Sequence, residues 1–101
     1  MEVGDFQKRI AEFVVKWDKK RNNIPDEEST LIHLMEEVGE LSREYVSKRM
    51  RKDKYSPDEV ENAIGDIMIQ LVKLAILRNL DIEKVVMKII KSDEENRLLE
   101  E

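Results

Sequence analysis

The segment from residue 63 to residue 77 constrains the fold more than any other part of this chain. It would be apolar on almost every side of a helix, and its ionic or amide side chains are Asp66, Gln70 and Lys73. At about 100° per residue, these three side chains fall on one stripe. A helix of this kind is buried on most sides, so other elements or copies of the chain have to surround it.

The composition predicts an all-α fold. Charged residues make up 41% of the sequence and aromatic residues 5%, with three Gly and two Pro. This mixture favours long helices with charged surfaces over a sandwich or a barrel. A chain of 101 residues has room for one domain, residues 1–101, with a modest core.

Apolar spacing and capping residues predict the first two helices. Apolar residues recur at steps of three and four from Phe6 to Trp17, which is typical of an amphipathic helix with one buried face. This spacing places Trp17 in the core; the alternative is that its ring stacks on a base. A second helix begins near Pro25–Ser29 and runs to about Met50.

The two later helices have clearer boundaries. Ser56, Pro57 and Glu59 form a capping-box pattern that opens the third helix, which Asn79 closes. Asp81 caps a fourth helix. We expect the acidic tail from about residue 94 to fray.

Charge and cysteine content exclude several classes of protein. The net charge is −5 and the isoelectric point is about 5.0, which argues against binding a nucleic-acid polymer across a broad face. The chain has no cysteine, so disulfides and thiolate metal sites are excluded. The amino-terminal residues lack the pattern of a secretory signal, and no apolar stretch is long enough to span a bilayer. We therefore expect a cytoplasmic protein without membrane contact.

Acidic side chains form a second stripe, on the second helix. His33, Glu37, Glu40 and Glu44 fall within one sector of that helix, beside its apolar face. One interpretation is a solvated charged flank. Similarly, a buried Asp66 could be a structural group that pairs with Lys73 or with an Arg, because an unpaired buried carboxylate is costly.

The alternative interpretation is a metal site shared by the two helices. Glu37 and Glu40 lie one turn apart, and Asp66 on the neighbouring helix could bring a third carboxylate to the same point. Magnesium prefers oxygen ligands and keeps waters that a triphosphate can replace. With one His and no Cys, a zinc site is much less suitable. His33 is more typical of a hydrogen-bonded neighbour of the acids than of a ligand.

Two motifs carry a family resemblance. The first is Glu36-Glu37-Val38-Gly39-Glu40-Leu41, and the second is Ile64-Gly65-Asp66-Ile67 within the apolar helix. Together they resemble the EExxE…ExxD signature of the MazG-like all-α nucleoside triphosphate pyrophosphohydrolases, which are related to dCTP pyrophosphatases and dimeric dUTPases. The resemblance covers roughly residues 6 to 97.

The resemblance implies a bundle completed by homo-oligomerisation and a magnesium-dependent release of pyrophosphate from a nucleoside triphosphate. By position, it implies that Glu37, Glu40 and Asp66 bind Mg²⁺, with Glu36 as an accompanying catalytic acid. It also suggests basic residues on the fourth helix as phosphate ligands. The residues that we assign to the substrate are Gln70, Lys88, Lys91 and Arg97.

One motif position departs from the family. Ala63 stands three residues before Asp66, where the family has Glu, and Asn62 or Glu59 nearby could supply an oxygen instead. Two alternatives to hydrolysis therefore stay open. The protein could be a degenerate MazG-like protein that binds a nucleotide or a partner, or a purely structural helical dimer. The apolar third helix predicts at least a dimer in every case, and a tetramer is equally compatible with it.

Overall fold

The computed structural model describes residues 1–98, and within that range the chain is helical without strands. The elements are α1 (Val3–Lys20), α2 (Glu27–Met50), α3 (Pro57–Leu77), α4 (Ile82–Asp93) and a π-helical turn (Glu94–Leu98). The all-α prediction is confirmed. None of the described helices is both long enough and apolar enough to cross a membrane.

The starts of α2 and α4 are capped by aspartates. Asp26 accepts a hydrogen bond from the amide of Ser29 at 2.7 Å, and Asp81 accepts one from the amide of Lys84 at 3.1 Å. The hydrogen bonds from Ser29 lower the pKa of Asp26. Each carboxylate satisfies an amide that the first helical turn leaves without a partner.

The start of α3 differs from the predicted capping box in one contact. The Ser56 hydroxyl accepts a hydrogen bond from the amide of Glu59 at 3.2 Å, as the motif predicts. The amide of Ser56 donates instead to Glu44 of α2, at 2.9 Å. Glu44, which the sequence places on the acidic stripe, therefore holds the start of α3 against α2.

Asparagines in the left-handed region end two helices. Asn22 follows α1 with a φ of 53°, and Asn79 follows α3 with a φ of 56°. Asn tolerates this conformation better than most residues, which makes it a common residue just after a helix. The prediction that Asn79 closes the third helix is confirmed.

The small buried core joins α1 to α3, while α2 packs along α3. Ile10 and Val14 of α1 contact Val72 of α3, which is fully buried. Partly buried apolar side chains surround this contact, namely Ile69, Ile76 and Ile82. This core packs α1, which carries Trp17, against α3, which carries Asp66.

Gln7 of α1 holds the beginning of α4. Its side-chain amide donates to the carbonyl oxygen of Leu80 at 3.0 Å and accepts from the amide of Ile82 at 2.9 Å. No residue of α4 is buried. This one side chain therefore ties the loop before α4 and the first residue of α4 to α1.

The apolar faces of the chain remain open in the single subunit. The prediction that α3 is buried on most sides is wrong for one copy, because Ile64 is 54% exposed and Met68 and Leu71 are also exposed. The radius of gyration is 16.8 Å, whereas a compact domain of about 100 residues has a radius of about 13 Å. The four helices therefore do not close around their own apolar surface.

The acidic end of the chain is more regular than the sequence predicts. Fraying is expected from about residue 94, but Glu94–Leu98 forms a π-helical turn directly after α4. The side-chain amide of Asn96 donates to the Ser92 hydroxyl at 3.2 Å. The rest of the predicted frayed tail, residues 99–101, lies outside the described residues.

Candidate active site

A cleft of about 310 Å³ opens between α1, α2 and α3, and we call it the central cleft. Aromatic side chains of α1 form one wall, and polar side chains of α2 and α3 form the other. Its main lining residues are Phe13, Trp17, Glu37, Asp66, Gln70 and Lys73. Two of the three predicted metal ligands, Glu37 and Asp66, are thus brought to one opening.

Glu37 carries the most perturbed carboxylate of the cleft. Its side chain is 15% exposed, and its Oε2 atom is buried without a hydrogen-bond partner. Burial raises the pKa of Glu37, and the charges of Glu40 and Asp66 raise it further, while His33 opposes the shift. An unpaired carboxylate oxygen beside like charges becomes more stable when it gains a proton or a cation.

His33 is a neighbour of Glu37, as the sequence predicts. Its Nε2 atom lies 3.6 Å from Oε1 of Glu37, one helical turn away, and the imidazole is half-exposed. This distance is an ion-pair contact when His33 is protonated, and it leaves Oε2 of Glu37 unpartnered.

Asp66 stands where the central cleft meets a second opening. This side cleft has a volume of about 250 Å³, and Asp66 is exposed, contrary to the buried position expected from the apolar pattern. Among residues 1–98, no three His or acidic side chains are close enough to enclose an ion. The residues that line the side cleft include Glu40, Arg43, Glu59, Asn62, Ala63 and Asp66.

Ala63 lies at the base of the side cleft. It is 5% exposed and lines this opening together with Glu40 and Asp66. Asn62 and Glu59, the residues that could replace the missing carboxylate, line the same opening. The structure therefore keeps oxygen-bearing side chains around the position where the sequence departs from the motif.

Trp17 forms part of a wall instead of the core. The prediction that it is a core residue is wrong for the single chain, because Trp17 is 47% exposed. Its ring stacks on Phe13, with 5.8 Å between the centroids, and the Arg21 guanidinium lies 5.7 Å from the ring centroid. These residues present an aromatic surface to the central cleft.

Lys73 has a partner that the sequence did not identify. Its Nζ atom lies 3.0 Å from Oδ2 of Asp18 and donates a hydrogen bond to Oδ1 at 3.1 Å. The structural alternative in which Lys73 pairs with Asp66 is therefore wrong. Asp18 follows Val14 by one turn on the buried face of α1, and this spacing was the available signal.

Gln70 and Glu36 reach a third opening, the polar cleft, of about 440 Å³. Gln70 is half-buried, its Oε1 atom has no hydrogen-bond partner, and its side chain lines both the central and the polar cleft. Glu36 is exposed and lines the polar cleft, whereas Glu37 and Asp66 line the central cleft. Of these two predicted site residues, only Gln70 contributes to the central cleft.

A comparison with protein-family models finds a match that includes both acidic motifs. The MazG nucleotide pyrophosphohydrolase domain matches residues 25–95, which is most of the chain. This chain belongs to the MazG family. A search of curated proteins finds no significant match.

The MazG match covers the acidic motifs but not the aromatic wall. Glu36, Glu37, Glu40 and Asp66 lie within residues 25–95, whereas Trp17 lies in α1, before the match begins. This chain therefore builds its central cleft from the MazG acidic motifs and from a preceding helix.

The basic residues assigned to the substrate lie elsewhere in this MazG chain. Lys88, Lys91 and Arg97 are exposed on α4 and on the turn that follows it, and none of them lines the central, side or polar cleft. The Nε atom of Arg97 lies 3.7 Å from Asp93. Within one chain, these cations are not brought to the carboxylates.

Proposed function

We propose that this MazG protein is a magnesium-dependent nucleoside triphosphate pyrophosphohydrolase, which converts a nucleotide to its monophosphate and pyrophosphate. The observation that carries the proposal is the buried, unpartnered Oε2 atom of Glu37 beside the charges of Glu40 and Asp66. A divalent cation would neutralise this group of carboxylates and attract the phosphates of a nucleotide.

The donor set fits magnesium in particular. Glu37, Glu40 and Asp66 would hold the ion. Within residues 1–98 these side chains are not close enough to enclose an ion by themselves, so in this proposal waters and substrate phosphates complete the coordination, as is common for Mg²⁺. When bound, the ion supplies charge neutralisation at the phosphates and lowers the pKa of a coordinated water. Glu36, on the neighbouring turn, remains the accompanying acid of the motif in this proposal.

The side chains of the central cleft have separate roles in this proposal. The rings of Phe13 and Trp17 offer a surface on which a base can stack, because aromatic faces attract each other in offset arrangements. The free Oε1 atom of Gln70 can accept a hydrogen bond from the nucleotide. Glu37 and Asp66, which would hold the ion, line the polar side of the cleft. The base and the phosphates would therefore occupy opposite sides of one cleft.

Assembly of a homo-oligomer, a dimer or a tetramer, belongs to the same proposal. The exposed apolar side chains of α3 and the absence of buried residues in α4 support it. A second copy would cover these faces. Lys88, Lys91 and Arg97 lie outside the clefts of their own chain. In an oligomer they could instead approach the phosphates of a nucleotide bound by the second copy.

A second candidate function is nucleotide binding without hydrolysis. The observation that favours it is Ala63, which supplies no ligand where other MazG proteins have a glutamate. A weaker metal site can still attract a triphosphate while it activates water poorly.

The deciding experiment is a panel of nucleoside triphosphates with and without Mg²⁺, scored separately for pyrophosphate and orthophosphate. The expected result is magnesium-dependent pyrophosphate release that Glu37→Gln abolishes. Glu83→Gln, an exposed change on α4, serves as the control and should retain activity. Binding of nucleotide without pyrophosphate release would favour the second candidate. A protein that neither binds a nucleotide nor releases pyrophosphate would refute both candidate functions.

A further inference from the structure

The buried ion pair between Asp18 and Lys73 connects the two walls of the central cleft. The two residues are 6% and 8% exposed, and both line the cleft. Asn23 strengthens the connection, because its side chain donates to Oδ1 of Asp18 at 3.2 Å and its amide donates to the Asp18 carbonyl at 2.8 Å. The end of α1 is thus tied to the last turns of α3.

Asp18 and Lys73 are close in sequence to residues that line opposite walls of the central cleft. Asp18 directly follows Trp17 of the aromatic wall, and Lys73 lies about one turn beyond Gln70 and two turns beyond Asp66. Within residues 1–98, this contact is the side-chain hydrogen bond that joins α1 to α3. A change in the pair would therefore move one wall relative to the other.

Stability alone is a weak reason for a buried ion pair. The cost of removing two charges from water largely cancels their attraction, and apolar residues of similar size are often equally stable at such sites. The neighbouring contacts of Ile10, Val14 and Val72 are apolar and do not fix direction. A charge-assisted hydrogen bond fixes both distance and direction. It can therefore set the register of α1 on α3, which the apolar contacts leave free.

We propose that Asp18 and Lys73 are positioning residues: they fix the aromatic wall of the central cleft at the distance from Gln70 and Asp66 that a nucleotide requires. They determine nucleotide affinity without touching the nucleotide. This inference rests on the proposed function for the identity of the ligand. The geometric part, the placement of Trp17, does not depend on catalysis.

The chain contains a single tryptophan, so Trp17 reports directly on the position of the wall. The main variant combines Asp18→Leu with Lys73→Met, which removes the pair while keeping an apolar contact. Acrylamide quenching of Trp17 should increase, with the helical circular dichroism unchanged. The KM for the best nucleotide should rise by about tenfold or more with little change in kcat, because small misplacements of binding groups weaken productive binding.

A control removes an exposed ion pair, which joins the first residue of α2 to the residue after α3. Arg78 and Glu27 lie 2.9 Å apart, are exposed and do not line the central cleft. The double variant Glu27→Gln with Arg78→Met should leave both the quenching of Trp17 and the KM unchanged. Equal effects in the two double variants would mean that the Asp18–Lys73 pair has no special role, and the proposal would be overturned.

Charge reversal separates positioning from direct contact with substrate. The double variant Asp18→Lys with Lys73→Asp keeps the pair in the opposite order, so it should restore quenching and KM towards the wild-type values. If Lys73 instead contacted phosphate, the reversed pair would remain defective, which would contradict the proposal. Asp18→Asn, which retains shape and an acceptor oxygen, is the substitute if the apolar double variant does not fold.

Failure of the proposed function would give a different result from failure of this inference. If no nucleotide is hydrolysed or bound by the wild type, the function fails. The quenching comparison still decides whether the pair positions Trp17. If quenching is the same in the wild type and in the folded apolar double variant, the inference fails even when hydrolysis is observed.

Discussion

Glu44 and Ser56 join the second half of α2 to the residue that directly precedes α3 through one hydrogen bond of 2.9 Å. The donor is the backbone amide of Ser56, the N-cap residue of α3. A carboxylate at this place satisfies an amide and interacts favourably with the positive end of the helix dipole. The contact also aligns the helix of Glu40 with the helix of Asp66.

Replacement of Glu44 by Ala should therefore destabilise the protein. We expect a loss of about 1 kcal/mol in the free energy of unfolding, comparable to the loss of a helix cap. Urea denaturation followed by circular dichroism measures it. Glu61→Ala, an exposed change on α3, is the matched control and should cost much less. Equal losses in the two variants would contradict a capping role for Glu44.

The raised pKa of Glu37 predicts a pH-dependent effect of Glu37→Gln. Because the folded pKa lies above the ordinary value of 4.5, folding favours the neutral acid. The contribution of Glu37 to stability is present below pH 4.5 and is lost as the pH rises through the folded pKa. The neutral variant should therefore be more stable than the wild type at pH 7, by up to about 1 kcal/mol because the cleft is open to solvent.

Unfolding in urea at a series of pH values tests this prediction. The difference between wild type and Glu37→Gln should shrink as the pH falls below 4.5. The groups that face Glu37 are Glu40, Asp66 and His33, and the protonation of His33 acts in the opposite direction to the two acids. A Glu37→Gln protein that is less stable than the wild type at pH 7 would contradict the prediction that repulsion from Glu40 and Asp66 destabilises ionised Glu37.

Glu40→Gln and Asp66→Asn should each weaken magnesium binding while leaving the fold intact or more stable, because each removes a like charge near Glu37. We expect a loss of affinity of at least about tenfold, since even outer-shell partners of a metal have effects of that size. Calorimetric titration with Mg²⁺ measures it. If both variants bind Mg²⁺ as tightly as the wild type does, the acidic stripe of α2 is a solvated charged surface and not a metal site.

Ala63→Glu should supply the carboxylate that the motif lacks. The side cleft beside Ala63 has room for the longer side chain, with Glu40 and Asp66 on its walls. Magnesium should bind more tightly and pyrophosphate release should rise, because more complete metal loading stabilises the charge of the transition state. Activity should be compared at saturating Mg²⁺ after folding has been verified.

The neutral variant Ala63→Gln controls for the size of the new side chain. It should give a smaller gain than Ala63→Glu, since an amide oxygen is a weaker ligand than a carboxylate for a hard cation. If a folded Ala63→Glu protein binds Mg²⁺ no more tightly and releases pyrophosphate no faster than the wild type, Ala63 does not represent the simple loss of a metal ligand.

The exposed apolar faces predict self-association. Sedimentation equilibrium at micromolar concentration should give a mass at least twice the 12.0 kDa of one chain. A charged residue in the apolar face of α4, as in Ile89→Asp, should shift the mass towards that of a monomer. Val3→Asp, an exposed change at the start of α1, tests whether any new charge has this effect. A monomeric wild type would refute the assembly.

Local signals in the sequence were sufficient for the helices and their ends. Ser56 and Asp81 cap the helices that they were predicted to cap, and Asp26 caps α2 within the predicted start at Pro25–Ser29. A cap depends only on residues a few positions away. The placement of Glu37 and Asp66 at one cleft followed from helical spacing and from the pairing of α2 with α3. The MazG resemblance is confirmed by the match over residues 25–95.

Contacts between distant residues could not be predicted in the same way. The pairing of Asp18 with Lys73 depends on how α1 crosses α3, which periodicity does not specify. The exposure of Trp17 and of Ile64 has a related cause: an apolar face predicts burial, but it does not say whether the covering surface belongs to the same chain.

The central cleft divides its lining between α1 and the segment that matches the MazG family model. The acids occur in the segment shared with the MazG family, whereas Phe13 and Trp17 occur on α1, ahead of that segment. A substitution on the exposed face of α1 can therefore reshape the aromatic side of the cleft while every acid keeps its place.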